Sequence, residues 1–143
     1  MTIASIIAHR PRADIVTAEA AQTVREVVAI LAERRIGAVP VMRDGRMAGI
    51  FSERDVLYRL AAEGELCLDR PVAEVMTSPA ITAEPRTSLD DGLALMTKRR
   101  IRHLPVCEGE DMVGFVSIGD LVKARYEAVR GEARAMREYI RSA

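Results

Sequence analysis

GIFSERD, from Gly49 to Asp55, returns as GFVSIGD, from Gly114 to Asp120, 65 positions later. Both stretches read Gly-x-x-Ser-x-x-Asp and both follow an apolar run. Sliding the chain by the same 65 positions lays Val16–Leu60 on Ile81–Arg125 without a gap. The coincidences cluster: Thr17-Ala18-Glu19 falls on Thr82-Ala83-Glu84, Arg34-Arg35-Ile36 on Arg99-Arg100-Ile101, and Pro40-Val41 on Pro105-Val106. Self-similarity of this length marks a duplicated structural unit. Two copies are too few for a solenoid, so a pseudo-symmetric pair sharing a core is expected.

Each copy carries the same succession of signals. A short β segment opens it, Ile15-Val16-Thr17 in one and Ala80-Ile81-Thr82 in the other. Thr23-x-x-Glu26 is a capping-box pattern ahead of Val24, Val27, Val28 and Leu31, which recur at helical spacing; Ser88-x-x-Asp91 serves Leu89, Leu93 and Met96 in the same way. A hairpin follows, Ala38–Met42 and Met47–Phe51 around Asp44-Gly45, or His103–Cys107 and Met112–Val116 around Gly109. A second helix starts at Ser52 and at Ser117. The predicted class is α+β, with two pseudo-symmetric β-α-β-β-α repeats packed as one module. Asp69-Arg70-Pro71 breaks the chain between them, which sets repeat 1 at 1–64, repeat 2 at 65–125 and a helical extension at 126–143. Ile3, Ile6 and Ile7 read as one face of a short helix, echoed by Val72, Val75 and Met76.

Composition narrows the function. Apolar residues make up 49% of the chain and charged residues 29%, the balance of a soluble globular protein. No apolar run approaches the ~20 residues of a membrane helix, and the N-terminus lacks a secretory signal. Cys67 and Cys107 are isolated, which suits a reducing cytoplasm. The 21 basic residues are matched by 21 acidic ones, without the basic excess of a DNA binder. Aromatic residues amount to 3% with no Trp, so stacking platforms for bases are not expected.

Ser-x-x-Asp at a helix start has two chemistries. As a cap, the serine accepts from a backbone N–H of the first turn and the acid returns the bond. As a site, the helix N-terminus offers free N–H groups and positive dipole to an anion, and the hydroxyl adds a donor. An ionised aspartate only accepts hydrogen bonds, which fits a vicinal diol such as a ribose. Gly49 and Gly114 would then clear room for a ligand beside the strand. The motif alone does not separate capping from binding.

The hairpin starts Arg35-Ile36-Gly37-Ala38-Val39-Pro40-Val41 and Arg100-Ile101-Arg102-His103-Leu104-Pro105-Val106 complete a set. With the repeat order, the Gly-x-x-Ser-x-x-Asp endings and Val75-Met76-Thr77-Ser78-Pro79, the chain from Ile3 to Arg125 resembles a tandem pair of cystathionine-beta-synthase (CBS) domains, a Bateman module, here standing alone. The resemblance implies a non-catalytic regulatory module that binds an adenine nucleotide in clefts between its repeats, with AMP, ADP, ATP, S-adenosylmethionine or NAD as candidates. It implies ribose contacts at Asp55 and Asp120, phosphate or ribose contacts at Ser52 and Ser117, and adenine beside Thr17 and Thr82. Arg102 and His103 fall where nucleotide-binding members carry phosphate contacts. Thr82, Arg102, His103, Ser117 and Asp120 therefore form the expected stronger second site, and Thr17, Ser52 and Asp55 the weaker first. The first would be empty, take a nucleoside-like group, or borrow charge from Arg54. A plain exposed strand end is the structural alternative for Arg102 and His103.

Two other classes compete. Ser117, Asp120 and His103 are the residue types of a hydrolase triad, but a nucleophile elbow reads Gly-x-Ser-x-Gly, and here Phe115 stands two before the serine. Position 38, where the first copy would need its histidine, is Ala38. No catalytic function and no metal site are expected; His103-x-x-x-Cys107 is the only metal-like spacing. The other class is a ligand-free interaction module. Val122, Tyr126, Val129, Ala133, Met136 and Ile140 repeat at 4-3-4-3-4, the seam of a coiled coil or of a helix folded on its own domain. Gly131 weakens that helix by about 1 kcal/mol relative to Ala. A homodimer acting on a separate, unidentified protein target is expected.

Overall fold

A computed structural model describes residues 1–142; Ala143, the end of the expected extension, lies outside the described residues. The duplication holds at the level of caps. Helix α2 (Val24–Arg34) starts where Thr23 Oγ1 accepts from Glu26 N at 3.2 Å, and α5 (Leu89–Arg99) where Ser88 Oγ accepts from Asp91 N at 3.0 Å. Both end on an arginine in the left-handed region, Arg35 and Arg100, each at φ 54°. The backbone N–H groups of Arg35 and Arg100 turn back onto carbonyls of the last turn, so the paired arginines close helices.

The hairpins superimpose in register. Strand β2 (Ala38–Arg43) pairs antiparallel with β3 (Arg46–Ser52), and β4 (His103–Glu108) with β5 (Asp111–Ser117). Each ladder slips one residue at the same point, Val41/Met42 and Val106/Cys107. Asp44 and Gly45 take φ 53° and 77°, the two positive values of a tight hairpin turn. Strand β1 is Ala18–Glu19, parallel to β2 with Ala18 opposite Val41; in the second repeat only Ala83 opposite Val106 remains. The paired residues thus lie just past the expected segments 15–17 and 80–82. Val16 and Ile81 are apolar because they pack on the cores, and no ladder bonds involve them.

The two cores exchange their short helices. Helix α1 (Ile3–Ile7) precedes the first repeat but packs on the second: Ile3 is fully buried with Leu89, Met96, Leu104 and Leu121. Helix α4 (Val72–Val75) precedes the second repeat but packs on the first, where Val72 and Val75 join Val24, Val27 and Phe51. Backbone bonds fix the exchange. Ile3 N and Ala4 N donate to Thr87 O and Pro85 O at 2.9 and 2.8 Å, and Leu89 N donates to Met1 O at 3.2 Å. In the first repeat Val72 N and Ala73 N reach Gln22 O and Ala20 O at 2.7 and 3.2 Å, while Val24 N reaches Arg70 O at 2.9 Å. Packing differs in size rather than plan: Val27, Val72 and Val56 of the first core stand where the second has Gly92, Ile3 and Leu121. A Cβ on Gly92 would lie 2.8 Å from Leu121 Cδ2, so the larger neighbours fill the space that Val27 occupies in its own core.

Helix α3 (Glu53–Glu63) ends the first repeat. Its counterpart α6 (Ile118–Ser142) runs 25 residues without a break at Gly131. Past Leu121 the stripe is uncovered by its own domain: Val122, Tyr126, Val129, Met136 and Ile140 are between 48% and 67% exposed. Among the described residues no helix is long and apolar enough to cross a membrane.

Gly49 and Gly114 have a purpose other than the ligand room expected from sequence. A Cβ on Gly49 would stand 2.6 Å from Thr77 O, and one on Gly114 would stand 2.6 Å from Ile7 Cγ2. The glycines admit the chain leaving α4 and α1 against β3 and β5. Gly49→Ala is expected to lower stability by about 1–3 kcal/mol in urea unfolding, as overpacking does. Gly114→Ala should cost less, because a side-chain methyl yields more easily than a carbonyl. An equal or smaller cost at Gly49 would mean that Thr77 is not held against β3.

Candidate ligand clefts between the repeats

Both Ser-x-x-Asp motifs sit at helix starts, and both cap. Ser52 N donates to Asp55 Oδ2 at 2.9 Å while Asp55 N donates to Ser52 Oγ at 3.4 Å, a complete capping box for α3. Ser117 N donates to Asp120 Oδ2 at 2.8 Å and Asp120 N to Ser117 Oγ at 3.1 Å, the same box for α6. Each box leaves one carboxylate oxygen free to face outward, and each faces a cleft between the repeats.

The first cleft is lined by Ser52, Glu53, Arg54 and Asp55 from one repeat and by Ile81, Ile101, Arg102 and His103 from the other, with Thr77 at its edge. The second is lined by Ser117, Asp120 and Phe115 on one side and by Ile15, Val16, Ile36 and Ala38 on the other, with Arg10 and Asp14 at its mouth. Ile36 and Ile101 hold equivalent places in the two, and so do Val16 and Ile81. Ala38 and His103, equivalent positions of the repeats, line both clefts.

Arg102 corrects the grouping drawn from sequence. It lines the cleft of Ser52 and Asp55, not that of Ser117 and Asp120. The reason is topological: the start of β4 crosses the axis to face the helix end of the other repeat. Arg102, the cation expected at the second site, thus lines the first, while His103 lines both. Arg54 joins Arg102 in that cleft, though its Nη1 donates to Arg100 O at 2.6 Å and so ties α3 to the end of α5. Gly37, where the second repeat has Arg102, sits close to its neighbours: a Cβ would lie 3.2 Å from Glu53 Oε1 and 3.3 Å from the His103 ring, so a side chain there would need them to shift slightly. Thr17 lines a separate depression with Ile30 and Arg34, and Thr82 lines neither cleft. The apolar walls come instead from their neighbours Val16 and Ile81.

The free carboxylate oxygens are both engaged, by different partners. Asp55 Oδ1 accepts from Thr77 Oγ1 at 3.1 Å. Asp120 forms a two-bonded ion pair with Arg10, Nη1 to Oδ2 at 2.9 Å and Nη2 to Oδ1 at 2.8 Å. Although partial burial opposes it, the combined bonds from Arg10 and Ser117 hold the Asp120 carboxyl below its usual range. His103 lies flat on Phe115, ring centroids 5.6 Å apart. Burial, and then the nearby Arg102, push its imidazole below the ordinary value against weaker pulls from Asp120 and Glu53. Neutral His103 thus contributes an apolar face and one donor, not a cation. Arg10, Phe115 and Thr77 are not among the site residues expected from sequence; Arg10 sits in a polar turn, and only the return of α1 to the second repeat carries it to Asp120.

Comparison with known proteins agrees with this architecture. The family model described as CBS domain matches residues 3–62 and again 72–127. The CBS domain-containing protein YhcV of Bacillus subtilis (strain 168) is 34% identical over 107 residues, 75% of this chain and 76% of that protein. The CBS-domain containing protein ATU1752 from Agrobacterium tumefaciens, a solved structure, is 34% identical with a TM-score of 0.81 over 87% of this chain and 99% of its own. CBSX2, solved in complex with AMP, covers 89% of this chain and 97% of its own with a TM-score of 0.77; at 22% identity the likeness is one of fold.

The titrating groups of the second cleft give two separate acid steps. His103 is depressed, so its contribution is whole above about pH 6.5, its unfolded value, and is lost as pH falls through the lower folded value. Asp120 is depressed from 3.8, so its contribution is whole above that pH and is lost only below it. Urea unfolding followed from pH 7.5 to 3 should show stability falling first as pH drops below about 6.5. His103→Gln should remove that upper step and Asp120→Asn should flatten the lower one. An upper step that survives His103→Gln would place its origin elsewhere.

Proposed function

Since the chain belongs to the CBS-domain family and carries two such domains in tandem, we propose that it is a regulatory sensor of adenine nucleotides, bound between the repeats. One observation carries this reading: each cleft sets the capped helix start of one repeat against the strand start of the other. In the first cleft the diol acceptor, Asp55, and a phosphate donor, Arg102, come from different repeats. A nucleotide spanning them would bridge the halves and fix their separation, which converts occupancy into shape. Ile81 and Ile101 offer aliphatic walls for a purine where no aromatic platform exists. AMP, ADP, ATP and NAD all pair an adenosine diol with phosphate; CBSX2, of the same fold, was solved with AMP, which makes AMP the first ligand to test.

In this reading the protein performs no chemistry on its ligand. Ser117 and Asp120 bond to each other, and Asp120 bonds to Arg10, so the three triad-like residues are not wired as a relay. The signal would pass to a separate protein, in the cytoplasm, where Cys67 and Cys107 remain free thiols. A ligand-free interaction module is the second reading, and the exposed stripe of α6 favours it. In either reading that stripe would join a homodimer.

Thermal unfolding with AMP, ADP, ATP, NAD and adenosine tests the sensor. A ligand at 100 times its dissociation constant should add about 2.7 kcal/mol of stability. Arg102→Ala should weaken AMP at the first cleft by roughly 10- to 150-fold, the loss of a charged hydrogen bond. Unchanged melting with every adenine compound would leave the interaction module standing. For assembly, sedimentation at micromolar concentration should give twice the 15.7 kDa chain mass. Val129→Glu with Met136→Glu should return it to a monomer, and a monomeric wild type would refute the dimer.

A further inference from the structure

We propose that Arg10 makes the second cleft selective for ligands that carry a sugar diol and an anion together. This rests on the nucleotide reading above and goes beyond it. The guanidinium holds Asp120 through two parallel bonds of 2.8 and 2.9 Å. Asp120 is the fixed member, since its carboxylate also accepts from Ser117 N at 2.8 Å. Arg10 is the movable one: its side chain is 46% exposed, stands on a flexible stem beyond the end of α1, and among the described residues bonds to no other side chain or carbonyl. Among the residues lining the second cleft Arg10 is the only arginine or lysine.

Two needs therefore meet in one side chain. While Arg10 stays on Asp120, the cleft has neither a free carboxylate for a diol nor a free cation for an anion. Turning the guanidinium away supplies both at once. A nucleoside must replace a charged pair with neutral hydrogen bonds and gives Arg10 nothing in return. A bare anion draws Arg10 off but leaves Asp120 with only its cap bond from Ser117 N. A nucleotide satisfies both groups. The first cleft has no such coupling, because a neutral hydroxyl, Thr77 Oγ1, holds Asp55 there.

Calorimetric titration of the full chain with AMP, adenosine and inorganic phosphate, in wild type, Arg10→Ala and Arg10→Lys, tests this. Arg10 lines the second cleft and not the first, so differences between the proteins report the second. In Arg10→Ala, AMP should weaken about tenfold at one class of site while adenosine tightens about three- to fivefold. Arg10→Lys, which keeps the cation without the two-bonded grip, should retain AMP and still gain adenosine. Phosphate alone should bind neither the wild type nor the variants appreciably at that site. An AMP-to-adenosine ratio unchanged by Arg10→Ala, with binding intact, would overturn the role of Arg10 and leave the sensor reading in place. Tightening of both ligands would mean a plug without selectivity, and equal weakening of both with a lowered melting temperature would mean a structural pair; either result also overturns it. No binding of AMP or adenosine to any of the three proteins would instead end the nucleotide reading.

Discussion

Free N–H groups at helix starts govern this fold. A helix leaves its first backbone donors without internal partners, and here the short helices α1 and α4 and the long helices α5 and α2 meet that need for each other across the chain. Ile3 and Ala4 donate into the loop before α5, and Leu89 at the head of α5 donates back to Met1. Val72, Ala73 and Val24 make the same trade in the other half. Each repeat is thereby completed by a helix that sequence order assigns to its neighbour. The full burial of Ile3 and Val72 adds about 1.5–3 kcal/mol each to the exchange.

The site follows from that exchange. Because α1 returns to the second repeat, the turn behind it brings Arg10 to Asp120; because α4 returns to the first, Thr77 comes to Asp55. The Ser-x-x-Asp boxes hold both carboxylates in place, so capping and presentation are one arrangement. At the capped aspartates the two repeats differ through their partners, Thr77 for Asp55 and Arg10 for Asp120. A hydroxyl guards one acid and a guanidinium the other, and Gly37 lies close to the His103 ring where the second repeat carries Arg102.

Much of this was legible in the sequence because local patterns encode it. Thr23-x-x-Glu26, Ser88-x-x-Asp91 and the two Ser-x-x-Asp motifs marked helix starts, and Asp44-Gly45 marked a hairpin, since each acts within four residues. Ser52 and Asp55 line one cleft between the repeats, and Ser117 and Asp120 the other. What the sequence hid depends on crossing the axis. Arg102 was grouped with its own repeat's aspartate and faces the other. Arg10 carried no signal, because its partner lies 110 positions away. Gly49 and Gly114 looked like room for a ligand and are room for the chain itself. Thr17 and Thr82 were identical in both repeats, yet the adjacent Val16 and Ile81 form the cleft walls, because alternation along an extended segment turns neighbours to opposite sides.

Helix α6 has a mechanical consequence. At 25 residues and ~1.5 Å per residue it is a rod of about 37 Å. Its fulcrum is the Ser117 cap, where Asp120 sits on its first turn, and only its near end is packed. A rod anchored at one end magnifies rotation: a tilt of about 10° at the fulcrum carries the tip of a helix this long about 6 Å. Displacements too small to register across the cleft would thus be written large at the far end of the arm.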